Sequence, residues 1–389
     1  MEIASLEVRH VRVRLRRPVK HASHARTETD NLVVVCTLSD GSVGYGEGVP
    51  REYVTGDSVD SAFDLLKRSD LAKQLPPCPD FPSAVQVAER LRLAPVPGDD
   101  RDCQGNPARC AVELAVLDAY GRAFGEPLMN VTKMLADELY EPREAVRYSG
   151  ILLTAKGWKA RLISLAYWWT GFKQVKVKVG IPGRDDAKRL KVIRGWLGKK
   201  IDIRVDANEA WTPENVAERI RALEPFGVSS VEQPVPHEAV ACLADVRKQV
   251  KTPIMLDESL CSEVDAERAV RGGWCDLFNL RLSKCGGFIP TLRLAQLAVR
   301  HNLGYQLGCM VGETGILSAA GRQFATSVKG IRYLEGSFDR HLVWDALTKE
   351  DITFGRGGLA PARVGCGLSV GIDPARLDAV TVRREVLIG

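Results

Sequence analysis

KQVKVKVG (173–180), IDIRVDANEA (201–210), VSSVEQP (228–234), TPIMLDES (252–259) and LFNLRLSKCGG (277–287) form a ladder of strand-like runs. Their tails carry Lys178, Asp206, Glu232, Asp257 and Lys284, at steps of 25 to 28 residues, with a helix-like stretch after each. One strand plus one helix fits each step, so the charges belong at successive strand ends of a (β/α) barrel, the rim where such folds do their chemistry. The same step reaches GYQLGCM (304–310) and then GIRYLEG (330–336), which carries Glu335. Backwards it reaches VRYSGILL (146–153), a first strand that brings the total to eight. With KVKV as the second strand, the carboxylates fall on strands three, four and five. The two lysines stand on strands two and six, opposite one another across the mouth.

Three carboxylates converging in a low-dielectric pocket repel one another unless a divalent cation lies among them. All-oxygen ligation favours a hard ion, Mg²⁺ or Mn²⁺. Lys176 and Lys178 share one pleat face because residues two apart on a strand point the same way. Like charge and the metal are expected to depress both Lys178 and Lys284, making them bases near neutral pH. The predicted reaction is proton removal α to a carboxylate, through an enediolate.

At K-V-K (176–178), V-D-A-N (205–208), V-E-Q-P (231–234), L-D-E-S (256–259) and S-K-C-G-G (283–287) the chain resembles the enolase superfamily, in its muconate-lactonizing-enzyme subgroup. DGSVGYGE (40–47), RCAVELAVLDAYGRAFGEPL (109–128) and GCGLSVGID (365–373) extend the resemblance over nearly the whole chain. It implies a modified (β/α)7β TIM barrel with an α+β N-terminal capping domain completed by the C-terminal tail. It further implies Asp206, Glu232 and Asp257 as metal ligands, and Lys178 and Lys284 as the acid/base pair. Lys176 would neutralise the substrate carboxylate or lower the pKa of Lys178, and Asn208 and Glu258 would orient the ligands from behind.

At 389 residues the chain exceeds a bare barrel of about 250. A capping domain is expected over 1–135, the barrel over 136–349, and a segment packing back on the cap over 350–389. Residues 3–14, 30–38 and 42–48 read as β-rich, with a hairpin at Asp40–Gly41; 58–73, 83–93 and 107–124 read as helices. In the family two cap loops roof the site, here 18–29 and 50–58, and they are expected to set specificity and exclude water. His21, His24, Arg26, Arg51 and Tyr53 are their candidates, the plainer alternative being solvated loop side chains. Together they form a cation-rich lid suited to a substrate with a second anionic group.

A net charge of +5 with interleaved signs points to neither nucleic acid nor membrane. RHVRVRLRR (9–17) reads as a solvated edge strand. Ten cysteines without zinc-like spacing, and no leader or long apolar segment, imply a reducing cytoplasmic setting. Cys110, Cys242 and Cys275 read as core, and Cys285 and Cys309 as rim residues without an activating histidine. Trp168 and Trp169 read as helix or subunit packing. A homo-oligomer is implied only by the resemblance.

Relatives that dehydrate sugar acids often use a histidine at the end of strand seven, and GYQLGCM has none. A lysine on each side permits a racemase or epimerase acting on an amino acid derivative, an N-acyl amino acid or a dipeptide-like substrate. It equally permits a muconate cycloisomerase-like or o-succinylbenzoate-synthase-like reaction, while a non-catalytic barrel scaffold would not need the constellation. GCMVGET (308–314) resembles the C-M-x-E-[ST] signature of dipeptide epimerases, with one extra residue displacing Glu313. Their strand-eight D-x-D is Tyr333-Leu334-Glu335 here, leaving one acid. Glu335 either holds a cationic substrate group or is a rim carboxylate satisfied by neighbouring donors.

Overall fold

Eight parallel strands curl into a barrel: β5 (Gly150–Leu152), β6 (Gln174–Lys178), β7 (Asp202–Asp206), β8 (Val228–Glu232), β9 (Ile254–Leu256), β10 (Leu277–Leu280), β11 (Gly304–Leu307) and β12 (Ile331–Leu334), each paired with the next in chain order. The computed structural model describes residues 1–20, 25–153 and 157–389; the lid candidates His21 and His24 lie outside them. The ring closes where Ser149 N donates to Leu334 O at 2.8 Å. Helical segments fill the seven connections, and no barrel helix follows β12, which is the (β/α)7β arrangement. Among the described residues no helix is long and apolar enough to cross a membrane.

Strand alternation divides the side chains. Val175, Val177, Ile203, Val205, Val231, Ile254, Phe278 and Leu280 are buried in the main core. The opposite parity holds Lys176, Arg204, Glu232, Asn279 and Gln306, all buried, above a small apolar cluster of Met255, Leu277 and Tyr333. The lumen is therefore apolar below and charged above, which prepares the mouth for chemistry.

The expected first strand over 146–153 splits in two. Ahead of β5, β4 (Ala145–Arg147) pairs antiparallel with β13 (Leu359–Pro361). The segment after 350 thus meets the barrel flank before it returns to the cap. It ends in β14 (Thr381–Ile388), and a second, four-stranded sheet runs β14, β1 (Ile3–Lys20), β2 (Ala25–Leu38), β3 (Val43–Gly48). The first part of the basic run, 9–11, is consequently not an edge, while Arg12, Arg14, Arg16 and Arg17 stay exposed as expected. TVRREVLI at the far end of the chain covers it, with Leu6 opposite Ile388 and His10 opposite Arg383. Arg9 pairs with Glu7 and Asp378, and Arg12 with Asp30.

Helix Asn106–Phe124 lies against β3 at backbone distance. A Cβ at Gly44, Gly46 or Gly48 would stand 2.1, 2.0 and 1.8 Å from Ala119 N, Ala111 O and Pro107 O. The glycine alternation in VGYGEG is thus the imprint of a helix on one strand face. Four helical segments, Glu52–Thr55, Val59–Arg68, Leu71–Gln74 and Phe81–Arg90, complete the cap.

Candidate active site

The rim places the ladder residues side by side. Lys178 is in register with Asp206, and Asp206 with Glu232; Asp257 follows directly on β9. Lys284 lies in the turn after β10, four strands round the ring from Lys178.

That turn is clamped by the cap. Asn106 Nδ2 donates to Lys284 O (2.9 Å), Arg109 Nη1 to Gly286 O (2.6 Å), and Ile289 N to Glu113 Oε1 (3.0 Å). Val49 N donates to Ser283 Oγ at 2.8 Å. Gly287, at φ 129°, lets the backbone pass where a Cβ would stand 2.4 Å from the Glu113 carboxylate. The cap helix and the S-K-C-G-G turn therefore form one machine for positioning Lys284.

Lys284 Nζ is fully buried and donates to Asp257 Oδ1 (2.9 Å), Asp257 O (2.6 Å) and Asn279 O (2.9 Å). Burial pulls its pKa down, but Asp257 outweighs burial and leaves it raised, against the depression expected from sequence. Lys178 follows the expectation: burial lowers it, Asp206 opposes, and Lys176 pushes it further down. Lys176 Nζ donates to Glu335 Oε2 (2.8 Å) and lies 3.4 Å from both Asp206 Oδ2 and Glu232 Oε1. These acids overcome burial and hold it raised.

The strand alternation also carries residues that the sequence reading passed over. Arg204, two before Asp206, donates to Glu335 and, at 3.1 Å, to Ser149 Oγ. Arg281, two after Asn279, bonds Asp257 and stands 3.6 Å from Glu232 Oε1. Asn279 Nδ2 (2.9 Å) and Gln306 Nε2 (3.4 Å) donate to the two oxygens of Glu232. The available signal was parity: each lies an even number of residues from a rim charge or occupies the matching strand position.

Among the described residues no three acids are placed to share one ion as they stand, because Lys176 bridges Asp206 to Glu232 and Arg281 bridges Glu232 to Asp257. The donor set nevertheless fits a hard divalent cation: three carboxylates on neighbouring strand ends. Burial, opposed by Lys176 and reinforced by Asp206, Glu335 and Asp257, pushes Glu232 up to about 8. Glu258, whose Oε1 accepts from Asn208 Nδ2 at 3.2 Å, has its other oxygen buried without a partner. Asn208 N also donates to Asp206 Oδ1 at 3.0 Å. Excess buried negative charge of this kind accommodates an added cation.

Outside the ladder the candidates scatter. Glu335 is occupied: burial would raise it, but Lys176 and Arg204 hold it near 2, so it offers no spare charge to a substrate. Glu313 is half-buried, accepts from Met310 N at 3.1 Å, and is pushed well above the usual carboxylate range by desolvation and Glu47. Arg51 is no solvated loop residue; its guanidinium donates to Asp30 O (3.0 Å), Thr29 Oγ1 (2.6 Å) and Val311 O (3.1 Å). It fastens the cap to the barrel. Arg26 stands 5.6 Å from the Tyr53 ring centroid as a cation–π pair. Cys110, Cys275 and Cys285 are buried, and Cys242 and Cys309 partly so.

Residues 161–376 match the family described as enolase C-terminal domain-like. The chain is 27% identical to the N-succinyl-L-Arg/Lys racemase of Bacillus cereus, over all of both chains. The crystal structure of that protein superposes with a TM-score of 0.85 at 25% identity, covering 99% of this chain and 100% of the other. The dipeptide epimerase from Cytophaga hutchinsonii, complexed with Mg and D-Ala-L-Val, gives 0.83 at 26% identity over both whole chains. The o-succinylbenzoate synthase of Bacillus subtilis is 27% identical over 82% of this chain and 81% of its own.

Proposed function

The chain belongs to the enolase superfamily, within the muconate-lactonizing subgroup, and on that premise we propose that it is a racemase or epimerase of an N-acylated amino acid. The observation that carries this reading is the position of Lys178 and Lys284 four strands apart, with Asp206, Glu232 and Asp257 on the arc between them. One lysine takes the α-proton from one face and the other returns a proton to the opposite face, which inverts the centre. Asp206, Glu232 and Asp257 would hold Mg²⁺, which supplies charge stabilisation for the enediolate oxygens. Lys176 and Arg281 lie among these acids and keep them balanced, while Asn208 steadies Asp206 and Glu258.

Glu335 is neutralised by Lys176 and Arg204, so no free acid on β12 awaits a substrate ammonium. That favours an acylated nitrogen over the free amine of a dipeptide. The cation of Arg26, paired with Tyr53 on the cap, suits an acyl group that ends in a carboxylate, in keeping with the similarity to the N-succinyl-L-Arg/Lys racemase of Bacillus cereus. A lyase of the o-succinylbenzoate-synthase type is the second reading, favoured by the Bacillus subtilis relative.

The test is incubation with Mg²⁺ in D₂O against a panel of N-succinyl amino acids, N-acetyl amino acids and dipeptides. Deuterium at the α-carbon with loss of optical rotation is the expected result, strongest for N-succinyl substrates and abolished by EDTA. Loss of water from an o-succinylbenzoate precursor, without exchange in any amino acid derivative, would replace the racemase by the lyase.

A further inference from the structure

The barrel wall is incomplete at its seam. β5 has only three residues and begins at Gly150, because the chain ahead of it leaves the ring as β4 to pair with β13. Among the described residues one backbone bond, Ser149 N to Leu334 O, joins β12 to that side of the ring. A side chain takes the place of the missing strand: Gln174 Nε2, at the root of β6, donates to Arg332 O (2.9 Å), and Ser149 Oγ donates to Gln174 Oε1 (3.4 Å). Beside this crossing, at the N-terminal ends of the strands and so at the end of the barrel opposite the mouth, lies a cavity of about 280 Å³.

Four cations and no carboxylate line it: Arg143, Arg147, Lys173 and Arg332. Glu141 answers Arg143 at 2.7 Å, and Arg147 Nη1 donates to Gly357 O at 2.9 Å. Among the described residues, however, no carboxylate pairs with Arg147, Lys173 or Arg332, all three of them exposed. Elsewhere on the surface arginines have acids: Arg9 has Asp378, Arg247 has Asp276 and Arg383 has Asp60. Three unanswered charges of one sign around a hollow repel one another and raise its potential, and a multivalent anion removes that cost. Two guanidinium forks and an ammonium, arriving from β4, β12 and the root of β6, suit the oxygens of a phosphoryl group, which arginine binds two at a time. The wall between them is apolar, with Val146 and Tyr333 buried in it. The volume lies at the lower edge of small-molecule sites, about 300–1,000 Å³, and leaves room beside the charge for a small organic group.

We infer that the seam cavity is a binding site for a phosphoryl dianion, held by Arg147, Lys173 and Arg332, with any organic group it carries against Val146 and Tyr333. The site also reaches inward. Tyr333, in the cavity wall, has its ring centroid 5.3 Å from the Arg332 guanidinium and 4.8 Å from that of Arg204 in the lumen. Arg204 in turn donates to Glu335, the acid that accepts from Lys176, and Gln174 stands two residues before Lys176 on β6. Occupancy therefore ties β12 to the root of the strand that carries Lys176 and Lys178. The three cations that hold the anion have no part in the racemase chemistry proposed above.

The test is calorimetric titration of the full chain, supplied with Mg²⁺ at low ionic strength, with phenyl phosphate and with inorganic phosphate, for the wild type, Arg147→Gln/Arg332→Gln and Lys173→Gln. The expected result is one saturable site per chain in the wild type, weakened by added NaCl and at least about tenfold weaker in both variants, whose circular dichroism and kcat are unchanged. The same anions should raise the thermal midpoint of the wild type more than that of the variants. Tighter binding of phenyl phosphate identifies an ester as the ligand, equal binding of the two identifies free phosphate, and either result supports the site. A wild type with no saturable binding would overturn it. So would folded variants that keep the wild-type affinity, since the anion would then lie among the lysines of the mouth.

Discussion

Lys178 and Lys284 have the same proposed duty but different surroundings, and substitutions should separate them. Lys178 is half-buried with a lowered pKa, so Lys178→Ala removes a base and little packing; turnover should fall by about 10²–10⁴-fold with an unchanged urea midpoint. Lys284 is fully buried against Asp257. Lys284→Ala should abolish turnover and also cost about 1–3 kcal/mol, because Asp257 O, Asp257 Oδ1 and Asn279 O lose a buried donor while Arg281 still pairs with Asp257. Equal midpoints for both variants in urea denaturation would contradict the buried pairing. A second residue-scale prediction concerns His237, whose Nδ1 lies 3.0 Å from Glu209 Oε1 on the rim. The hydrogen bond to Glu209 raises its pKa, burial opposing. A raised cationic group stabilises the fold fully below its unfolded pKa of about 6.5. That contribution is lost as pH climbs through the folded value. The His237 ring resonance should therefore titrate above the ordinary histidine range, and in Glu209→Gln it should return to it. The rim acids and lysines were legible because each closes a strand, or follows it within a few residues, at a nearly fixed step. Arg204 and Arg281 were not, because an arginine inside a barrel reads as surface until the parity of its strand is known.

Elements were legible where periodicity alone decides them. The barrel strands and the long cap helix were of this kind, since each buries a face of its own. The break of 146–153 into β4 and β5 was not, because β4 exists only to meet β13, some two hundred residues later. Nor was the interior position of β1, whose alternating arginines mimic an exposed edge until β14 is laid beside them. The glycine face of β3 gives the sharpest element-scale prediction. Gly46→Ala drives a methyl to within 2.0 Å of Ala111 O, a backbone atom of a buried helix; a loss of about 1–3 kcal/mol or more is expected. Gly195, in helix Asp186–Leu197, has nothing within 4 Å of its would-be Cβ. Gly195→Ala should stabilise by about 0.5–1 kcal/mol. Equal shifts for the pair in chemical denaturation would refute the close approach of β3 to the helix.

Over the whole molecule, the cap and barrel are joined by buried polar contacts rather than by apolar packing alone. Glu47 on β3 accepts from Thr314 N (2.8 Å), Thr314 Oγ1 (2.8 Å) and Leu317 N (2.9 Å), at the start of the barrel helix Gly315–Ser327. Asn31 Nδ2 reaches both Glu47 Oε1 (2.7 Å) and Gly312 O (2.8 Å). The two ends of the chain meet in the cap sheet, a pairing across nearly its full length that no local pattern encodes. Deleting residues 381–389 tests this closure. The deletion removes β14, uncovers β1 from Leu6 to Val11, and strips Leu387 and Ile388 from the core they partly cover. The two side chains account for about 2–4 kcal/mol. The bared edge of β1 becomes a template for intermolecular pairing. We therefore expect a lower urea midpoint, time-dependent light scattering, and a rise in KM larger than the fall in kcat. The KM effect follows if the cap sheet, to which β14, β1 and β2 with Arg26 belong, sets substrate binding, while the lysines and acids sit on or beside barrel strands that the deletion does not touch. A truncated chain with the full-length midpoint and KM would show that the returning strand supports neither the cap nor the site beneath it.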